Sequence, residues 1–522
     1  MFDIVIIGLG PVGATLANLL GQQGWHIAIV ESATEIVPIP RAVHCDDEAQ
    51  RIWQAAGVLD LITPAFGGYP PDRQYINASG RIYFETHLNL SQPFGYQSNM
   101  YFHQPTLEAG LRAGLSRFDD MTLLLGRSAI GLEQDEAGVT LQLQNEQTGT
   151  TESLHAHYVI GCDGARSFVR KSLGIELHDL KFEQPWLVTD FYLKPGLTRE
   201  DVGFPYAHQQ ICNPTQPISF IPNGCKGHYR FEFMLPADVT KAQAEQETYV
   251  HKMLSPLADL SKIDLVRATV YTFHSLIATR WRDRRVFIAG DAAHQMPPFA
   301  GQGMCSGLRD AHNLSWKLGL VLAGQADDGL LDSYEMERKP HVTRMTQGAM
   351  FLGNLVQTQN PLRAWLRDFL FRTLFKIPAV FGRIARFALR PPDLKTTLDG
   401  GTIKDVVGTY FIQPKITDGA GTVQLLDERL GPNIAVLGMG HDPTTYLQPL
   451  LDHLPICCLE VVDSSPSAKQ IGDHTGALGQ WFRQHKADFV IIRPDRFVYG
   501  AYTLENILDA INELSSHLKL SR

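Results

Sequence analysis

An α/β fold of several parts is what this sequence predicts, and three stretches predict it. Phe2 to Ile7 is a short β-branched apolar run, followed by Gly8-Leu-Gly10-Pro-Val-Gly13, a helical pattern from Ala14 to Gln23, and the apolar run Ile27 to Val30 that ends in Glu31. Tyr158 to Cys162 is a second apolar strand, and it ends in Asp163-Gly164. Arg285 to Ala289 is a third, and it delivers Gly290-Asp291 into a Pro/Gly-rich turn from which a helix departs. Strands that alternate with helices in this way build a parallel sheet.

In the first stretch Gly8 allows a tight turn, Gly10 lets the backbone approach a pyrophosphate, and Gly13 permits close helix packing. Glu31 stands where an acid holds the ribose hydroxyls of an adenosine, and an acid there favours FAD or NAD over NADP. The complete β-α-β context makes a Rossmann-like dinucleotide-binding domain the expectation. In Pro40-Arg41-Ala42, Arg41 reads equally as a solvated loop residue or as a clamp near the cofactor. Asp46-Asp47-Glu48 suits the first turn of a helix, and Phe102 to Gly110 restarts a helix with Pro105 where the first turn tolerates it.

Asp163-Gly164 turns into a helix carrying Ser167 and Arg170, which fits both an ordinary connection and a loop bordering the cofactor groove. In the third stretch the helix start near Gly301, Gly303 and Gly307 presents free N–H groups to a phosphate or to the carbonyl-rich end of a flavin. Asp291 is suited to accept from a ribityl or ribose hydroxyl.

Met121 to Glu133 and Gly138 to Asn145 read as two hairpin strands. Trp186 to Leu193, Ile218 to Ile221, Tyr229 to Leu235 and Leu265 to Phe273 read as an inserted, mostly β unit over the reactive end of the cofactor, joined by a strand-like segment near 66–100. Its inward positions are expected among Tyr206, His208, Arg230, Glu232, Tyr271 and Phe273. Pro361 to Arg390 carries seven Lys/Arg and the single acid Asp368 among Leu, Phe and Trp. It reads as a basic amphipathic helix at a membrane surface or as packing or dimer helices broken at Pro378, and the need to cover a core favours the second. Pro391-Pro392 and Gly400-Gly401 mark a linker, beyond which the strand-like runs Ile434 to Leu437, Cys457 to Val462 and Phe489 to Arg493, and the helix Leu504 to His517, form a small α/β domain. The expected boundaries are 1–184 and 275–392 for the dinucleotide-binding domain, 185–274 for the sheet domain, and 400–522 for the last.

Of 522 residues 44% are hydrophobic and 19% charged, as in soluble globular proteins, and a net charge of −9 opposes a nucleic-acid role. The seven cysteines form no C-x-x-C pair, which fits a reduced, cytoplasmic compartment. No uninterrupted apolar run reaches spanning length. Asp3 and the lack of early Lys or Arg set the N-terminus apart from a secretory signal.

Taken in order, Gly8-x-Gly10-x-x-Gly13, Asp163-Gly164 with Ser167 and Arg170, and Gly290-Asp291 with His294 and Pro297 resemble the three fingerprints of FAD-dependent aromatic hydroxylases, the class A flavoprotein monooxygenases. Phe102-His-Gln-Pro105, Tyr229 to Phe233 and Arg493-Pro-Asp-Arg496 resemble the 3-(3-hydroxyphenyl)propionate hydroxylase branch, beside phenol and resorcinol hydroxylases. The likeness covers nearly the whole chain and makes its C-terminal part a thioredoxin-like domain without redox cysteines. It implies Glu31 on the adenosine ribose, Arg41 and Gln104 on the FAD, Asp163 at the groove, Asp291 on the ribityl chain, and Pro298, Gly301, Gly303 and Met304 beside the isoalloxazine.

The activity implied is hydroxylation of a small phenolic compound, such as a hydroxyphenyl acid, through a flavin C4a-hydroperoxide, with NADH or NADPH as transient electron donor. A dehydrogenase or oxidase of the same fold without oxygen insertion is the alternative. The expected partners are the aromatic substrate and O2, with a homodimer as the candidate assembly. A phenol becomes a better nucleophile as its proton is drawn away. Asp46, His208, Arg230 and Tyr271 are candidates for that polar contact, with Arg230 and Tyr271 chosen as catalytic.

Overall fold

The computed structural model describes residues 1–67, 72–87, 92–223, 225–388, 390–463 and 466–518. The strand Phe2–Ile7 lies inside an eight-stranded sheet, flanked in parallel by Ile27–Glu31 and Thr151–Gly161. Met121–Leu125 and Val286–Ile288 extend it on either side, also in parallel. Parallel strands covered on both faces need apolar residues at successive positions, and Ile4, Val5, Ile6 and Ile27 to Ile29 are fully buried. The three loops singled out in the sequence follow the carboxyl ends of three adjacent strands, where an open parallel sheet holds its ligand.

The helix Pro11–Gly21 leaves the first of these loops. Gly13 has no alternative there, since a Cβ on it would stand 2.0 Å from the Gly8 carbonyl oxygen. Met121 to Glu133 is not one strand. Gly126, at φ +65°, divides it, and Arg127–Gln134 pairs with Val139–Asn145 while Met121–Leu125 joins the parallel sheet. β-prone residues stand on both sides of the glycine, so the change of partner leaves no mark in the pattern.

A second eight-stranded sheet covers these loops, in the order His294–Gln295, Ile263–Ala278, Leu177–Leu193, His228–Met234, Ile218–Ile221, His208–Ile211, Asp72–Ile76, Ile82–His87. The short strand His208–Ile211, absent from the sequence reading, is what joins the 66–100 segment to the sheet. It pairs in parallel with Asp72–Ile76, His208 opposite Arg73. Residues 68–71 and 88–91 of that segment, Pro70-Pro71 among them, lie outside the described residues.

The helices Gly303–Leu322 and Asp332–Val356 back the parallel sheet. Pro361–Arg372 and Pro378–Ala388 follow. The first of that pair buries Ala364, Arg367 and Phe371 but leaves Leu362 80% and Trp365 68% exposed, so only one of its faces covers the core. No described helix is long and apolar enough to cross a membrane. The C-terminal part is a seven-stranded sheet in which Ile434–Met439 lies between Ile456–Val462 and Phe489–Ile492. Its last helix begins at Asp509 rather than Leu504.

Buried ion pairs fasten this part to the rest. Asp427 receives Arg51 and Arg496, and Glu337 receives Lys317 and Arg493.

Candidate active site

The three strand-end loops and one face of the cover sheet enclose a cavity of about 410 Å³. Gly10, Cys162, Gly164 and Asp291 reach it from the parallel sheet, and Pro298, Gly301, Gly303 and Met304 from the turn before the helix Gly303–Leu322. Neither that helix nor Pro11–Gly21 has a side-chain cap at its start. Their first-turn N–H groups therefore remain available to an anion or a carbonyl. A Cβ on Gly10 would meet nothing within 4 Å, so that glycine borders open space. A larger surface groove of about 1090 Å³ lies away from these loops, and ion pairs within its wall join Arg282 to Asp328 and Asp332 and Lys339 to Glu335.

Asp291 opens onto the cavity, and among the described residues no protein donor holds its carboxylate. The surrounding burial pushes that carboxyl up. The loop bearing it is braced from both sides: Asp310 accepts from the Gly290 N–H at 3.1 Å and lies 2.7 Å from His294 Nε2, while Arg170 Nη1 donates to the Ala292 carbonyl at 2.9 Å. Asp163 stands behind the cavity wall. Its Oδ2 accepts from the Val169 N–H at 3.0 Å, Ser167 caps the same helix start, and Oδ1 is buried without a partner. Glu31 binds the glycine loop, accepting from Leu9 N at 2.8 Å and Ala33 N at 2.9 Å. Gln104 lines the cavity, and its carbonyl oxygen takes the Arg41 and Ala42 N–H groups at 2.7 and 2.6 Å, which fixes the Arg41 loop.

The cover sheet supplies the other wall through its register. Side chains alternate across a strand, so opposite residues share a face. One row across the sheet is therefore Arg73, His208, Ile221, Arg230, Asp190 and Arg267. Asp190, wholly buried, organises the end of that row. It accepts from Arg230 Nε at 2.7 Å and from Arg267 Nε at 2.7 Å, and His228 Nε2 is 2.7 Å away. Burial alone would raise this carboxyl, but the two guanidiniums and His228 outweigh it and hold it far below the usual range.

Arg230 spends its remaining donors on the Arg41 and Pro40 carbonyls at 2.9 and 2.7 Å, so it ties the cover sheet to the Arg41 loop. Tyr271 faces the cavity, and its hydroxyl accepts from Arg267 Nη1 at 3.0 Å. Glu232 and Phe273 also line the cavity, whereas Tyr206 is 52% exposed outside it. Asp46 caps its helix through Ala49 N at 2.8 Å and pairs with Arg309.

Among the cavity groups that escaped the sequence reading are Arg267, Arg73, Tyr101 and His44. Tyr101 Oη is 2.7 Å from His208 Nδ1, and Arg73 Nη1 donates to the Phe299 carbonyl at 3.2 Å. Burial and the charge of Arg73 lower His44 to about 4 and hold His208 well below its ordinary value, so both imidazoles are neutral. The one local signal was Arg73 in an otherwise strand-like run.

Residues 1–349 match the FAD binding domain family, and residues 408–517 match the HcaD C-terminal domain family. A 3-(3-hydroxy-phenyl)propionate/3-hydroxycinnamic acid hydroxylase of Escherichia coli (strain SMS-3-5 / SECEC) is 32% identical over 545 residues, which span 100% of this chain and 95% of that one. The protein of the same name from Mycolicibacterium smegmatis is 35% identical over 543 residues, 99% of this chain and 92% of its own. Among solved structures, the flavin-dependent monooxygenase PieE in complex with FAD and substrate superposes with a TM-score of 0.83 at 20% identity, covering 99% of both chains. Aklavinone-11 hydroxylase with FAD and aklavinone gives 0.81 at 21%, again over 99% of both. At such identities these two show the fold alone.

Proposed function

The chain belongs to the family of FAD-dependent aromatic hydroxylases, and from that premise we propose that it hydroxylates a small phenolic acid of the 3-(3-hydroxyphenyl)propionate kind, using O2 and NADH or NADPH. The observation that carries this reading is the convergence of three strand-end loops and a polar sheet face on one cavity. FAD fits there: two uncapped helix starts, the open space before Gly10 and the unengaged Asp291 carboxylate suit its pyrophosphate, carbonyls and ribityl hydroxyls. When bound, FAD supplies the electron transfer and oxygen activation that no side chain can.

The remaining roles fall to the chain itself. Asp291 would take a ribityl hydroxyl, and Glu31, at the end of its strand, would border the adenosine ribose. The backbone of Pro298 to Met304, which lines the cavity, would hold the isoalloxazine and offer it N–H donors. Asp163 holds the second loop in place, Gln104 fixes the loop of Arg41, and Arg41 borders the cofactor. Arg230 acts as a positioning residue through Asp190 and Pro40. Tyr271 is the catalytic candidate: its oxygen accepts from Arg267, so its own O–H is free to donate to the substrate phenol oxygen and hold the ring in place. The cover sheet excludes water from the reacting atoms.

A screen of hydroxyphenyl acids for stimulated NADH or NADPH oxidation by the FAD-loaded enzyme, with 3-phenylpropionate as the non-phenolic control, tests the proposal. At least one phenolic acid raises the rate severalfold and yields a product carrying one more hydroxyl. No stimulation by any of them would refute it.

A further inference from the structure

Three guanidiniums on the cover sheet reach the cavity, and two of them are spent. Arg230 and Arg267 share the carboxylate of Asp190 and the Pro40 carbonyl. Arg73 has no such partner. It is 8% exposed, its Nη1 donates to the Phe299 carbonyl at 3.2 Å, a neutral side-chain hydrogen bond joins it to Tyr75, its Nε has no acceptor, and among the described residues no carboxylate pairs with it. A guanidinium is always charged, and burying one without a counter-charge is unfavourable by several kcal/mol or more. The cavity itself is where the missing anion fits.

What surrounds Arg73 narrows the anion to a carboxylate held by neutral donors. His208 stands opposite it in the parallel register, on a strand about 4.8 Å away. His208 and His44 are both neutral beside it, and burial raises the Tyr101 hydroxyl, which stays protonated. The Gln210 amide donates to His208 Nε2 at 2.8 Å, which puts the imidazole proton on Nδ1 and aims it at the Tyr101 oxygen 2.7 Å away. The Tyr101 hydrogen is then free to point into the cavity. Two acids line the cavity. Glu232 stands 3.6 Å from Arg230, and Asp291 lies at the opposite, nucleotide end.

We propose that Arg73, with the Tyr101 hydroxyl beside it, is the anchor for the side-chain carboxylate of the substrate, and so sets the preference for phenolic acids over uncharged phenols. This rests on the hydroxylase reading given above and names the residue behind its substrate class. Because Arg73 also touches the Phe299 carbonyl in the turn that would hold the isoalloxazine, the anchored acid would be indexed against the flavin.

The test is a binding titration, read from the flavin absorbance of the FAD-loaded protein, with 3-(3-hydroxyphenyl)propionate and with its uncharged amide. The wild type prefers the acid by about 100-fold, the size expected for a buried charge-assisted pair. R73Q brings the two affinities to within a few-fold of each other with FAD still stoichiometric, and R73K recovers part of the preference. Equal affinity of the wild type for acid and amide, or an R73Q protein that keeps the preference, overturns the anchor. So does an R73Q protein in which the preference stands but the flavin reduction potential moves, because the charge then serves the flavin. The hydroxylase reading is judged separately, by whether the wild type forms a hydroxylated product, so one can fail while the other stands.

Discussion

Asp427→Asn removes one charge from the contact that fastens the C-terminal part to the helix Asp47–Ala55. The Asp427 carboxylate accepts from Arg51 Nε at 2.7 Å, Arg51 Nη2 at 2.8 Å and Arg496 Nε at 3.0 Å, and the side chains of Arg51 and Arg496 are 0% and 2% exposed. Burial alone would raise this carboxyl, but the two guanidiniums outweigh it and hold it at about 2. Asparagine keeps the shape and leaves two buried cations with no counter-charge. Breaking a buried pair from one side costs about 3–5 kcal/mol. With a urea dependence of roughly 3 kcal/mol/M or somewhat more for a chain of this size, the unfolding midpoint should fall by about 1 M. Equilibrium urea unfolding of the FAD-loaded protein, followed by flavin release and tryptophan fluorescence, measures it. A midpoint within about 0.2 M of wild type would refute the reasoning, since the pair would then contribute no more than an exposed one.

Gly10→Leu should fold and lose FAD, because its Cβ meets no protein atom within 4 Å and its φ of −72° suits any residue, yet the side chain enters the cavity. A flavin-to-protein ratio near one in a folded G10L protein would contradict this. Cys457→Ser with Cys458→Ser should leave turnover within a few-fold of wild type, since burial raises both thiols, Cys458 to about 12, and neither is in a disulfide. A much larger loss without destabilisation would count against it. Acidification should weaken the fold between about pH 6.5 and 4. His312, 5% exposed, is lowered by burial to about 4, whereas the unfolded imidazole titrates near 6.5, so the unfolded state binds more protons in that window and stability falls as pH falls. The loss from this residue is on the order of 3 kcal/mol. Stability independent of pH across the window, or an unchanged slope in H312Q, would overturn the assignment.

The parallel sheet and its loops were legible because their signals are local. Gly8, Gly10 and Gly13 sit within one β-α-β unit, where Gly13 is fixed by the Gly8 carbonyl, and Gly290-Asp291 lies in one strand-to-helix turn. The cover sheet was legible only in part. The strand run Trp186 to Leu193 is legible, but the charge it buries, Asp190, finds its partners His228, Arg230 and Arg267 on other strands. Arg73 and His208 are brought together by a parallel pairing across more than a hundred residues, and no periodicity in either stretch encodes it. Gln104 was placed at the cofactor by resemblance, while its hydrogen bonds show it holding the Arg41 loop. The helix Pro361–Arg372 reads from its apolar content as a packing or dimer helix, and in the structure one of its faces covers the core while Leu362 and Trp365 stay exposed.

Insertion of oxygen from the gas phase is the claim on which the whole account turns. The FAD-loaded enzyme, given NADH or NADPH and 3-(3-hydroxyphenyl)propionate under ¹⁸O-labelled dioxygen, should yield a dihydroxylated product carrying one heavy oxygen atom. Substrate consumed with no heavy oxygen in any product would contradict the account and identify the flavin chemistry as dehydrogenation or oxidation without insertion.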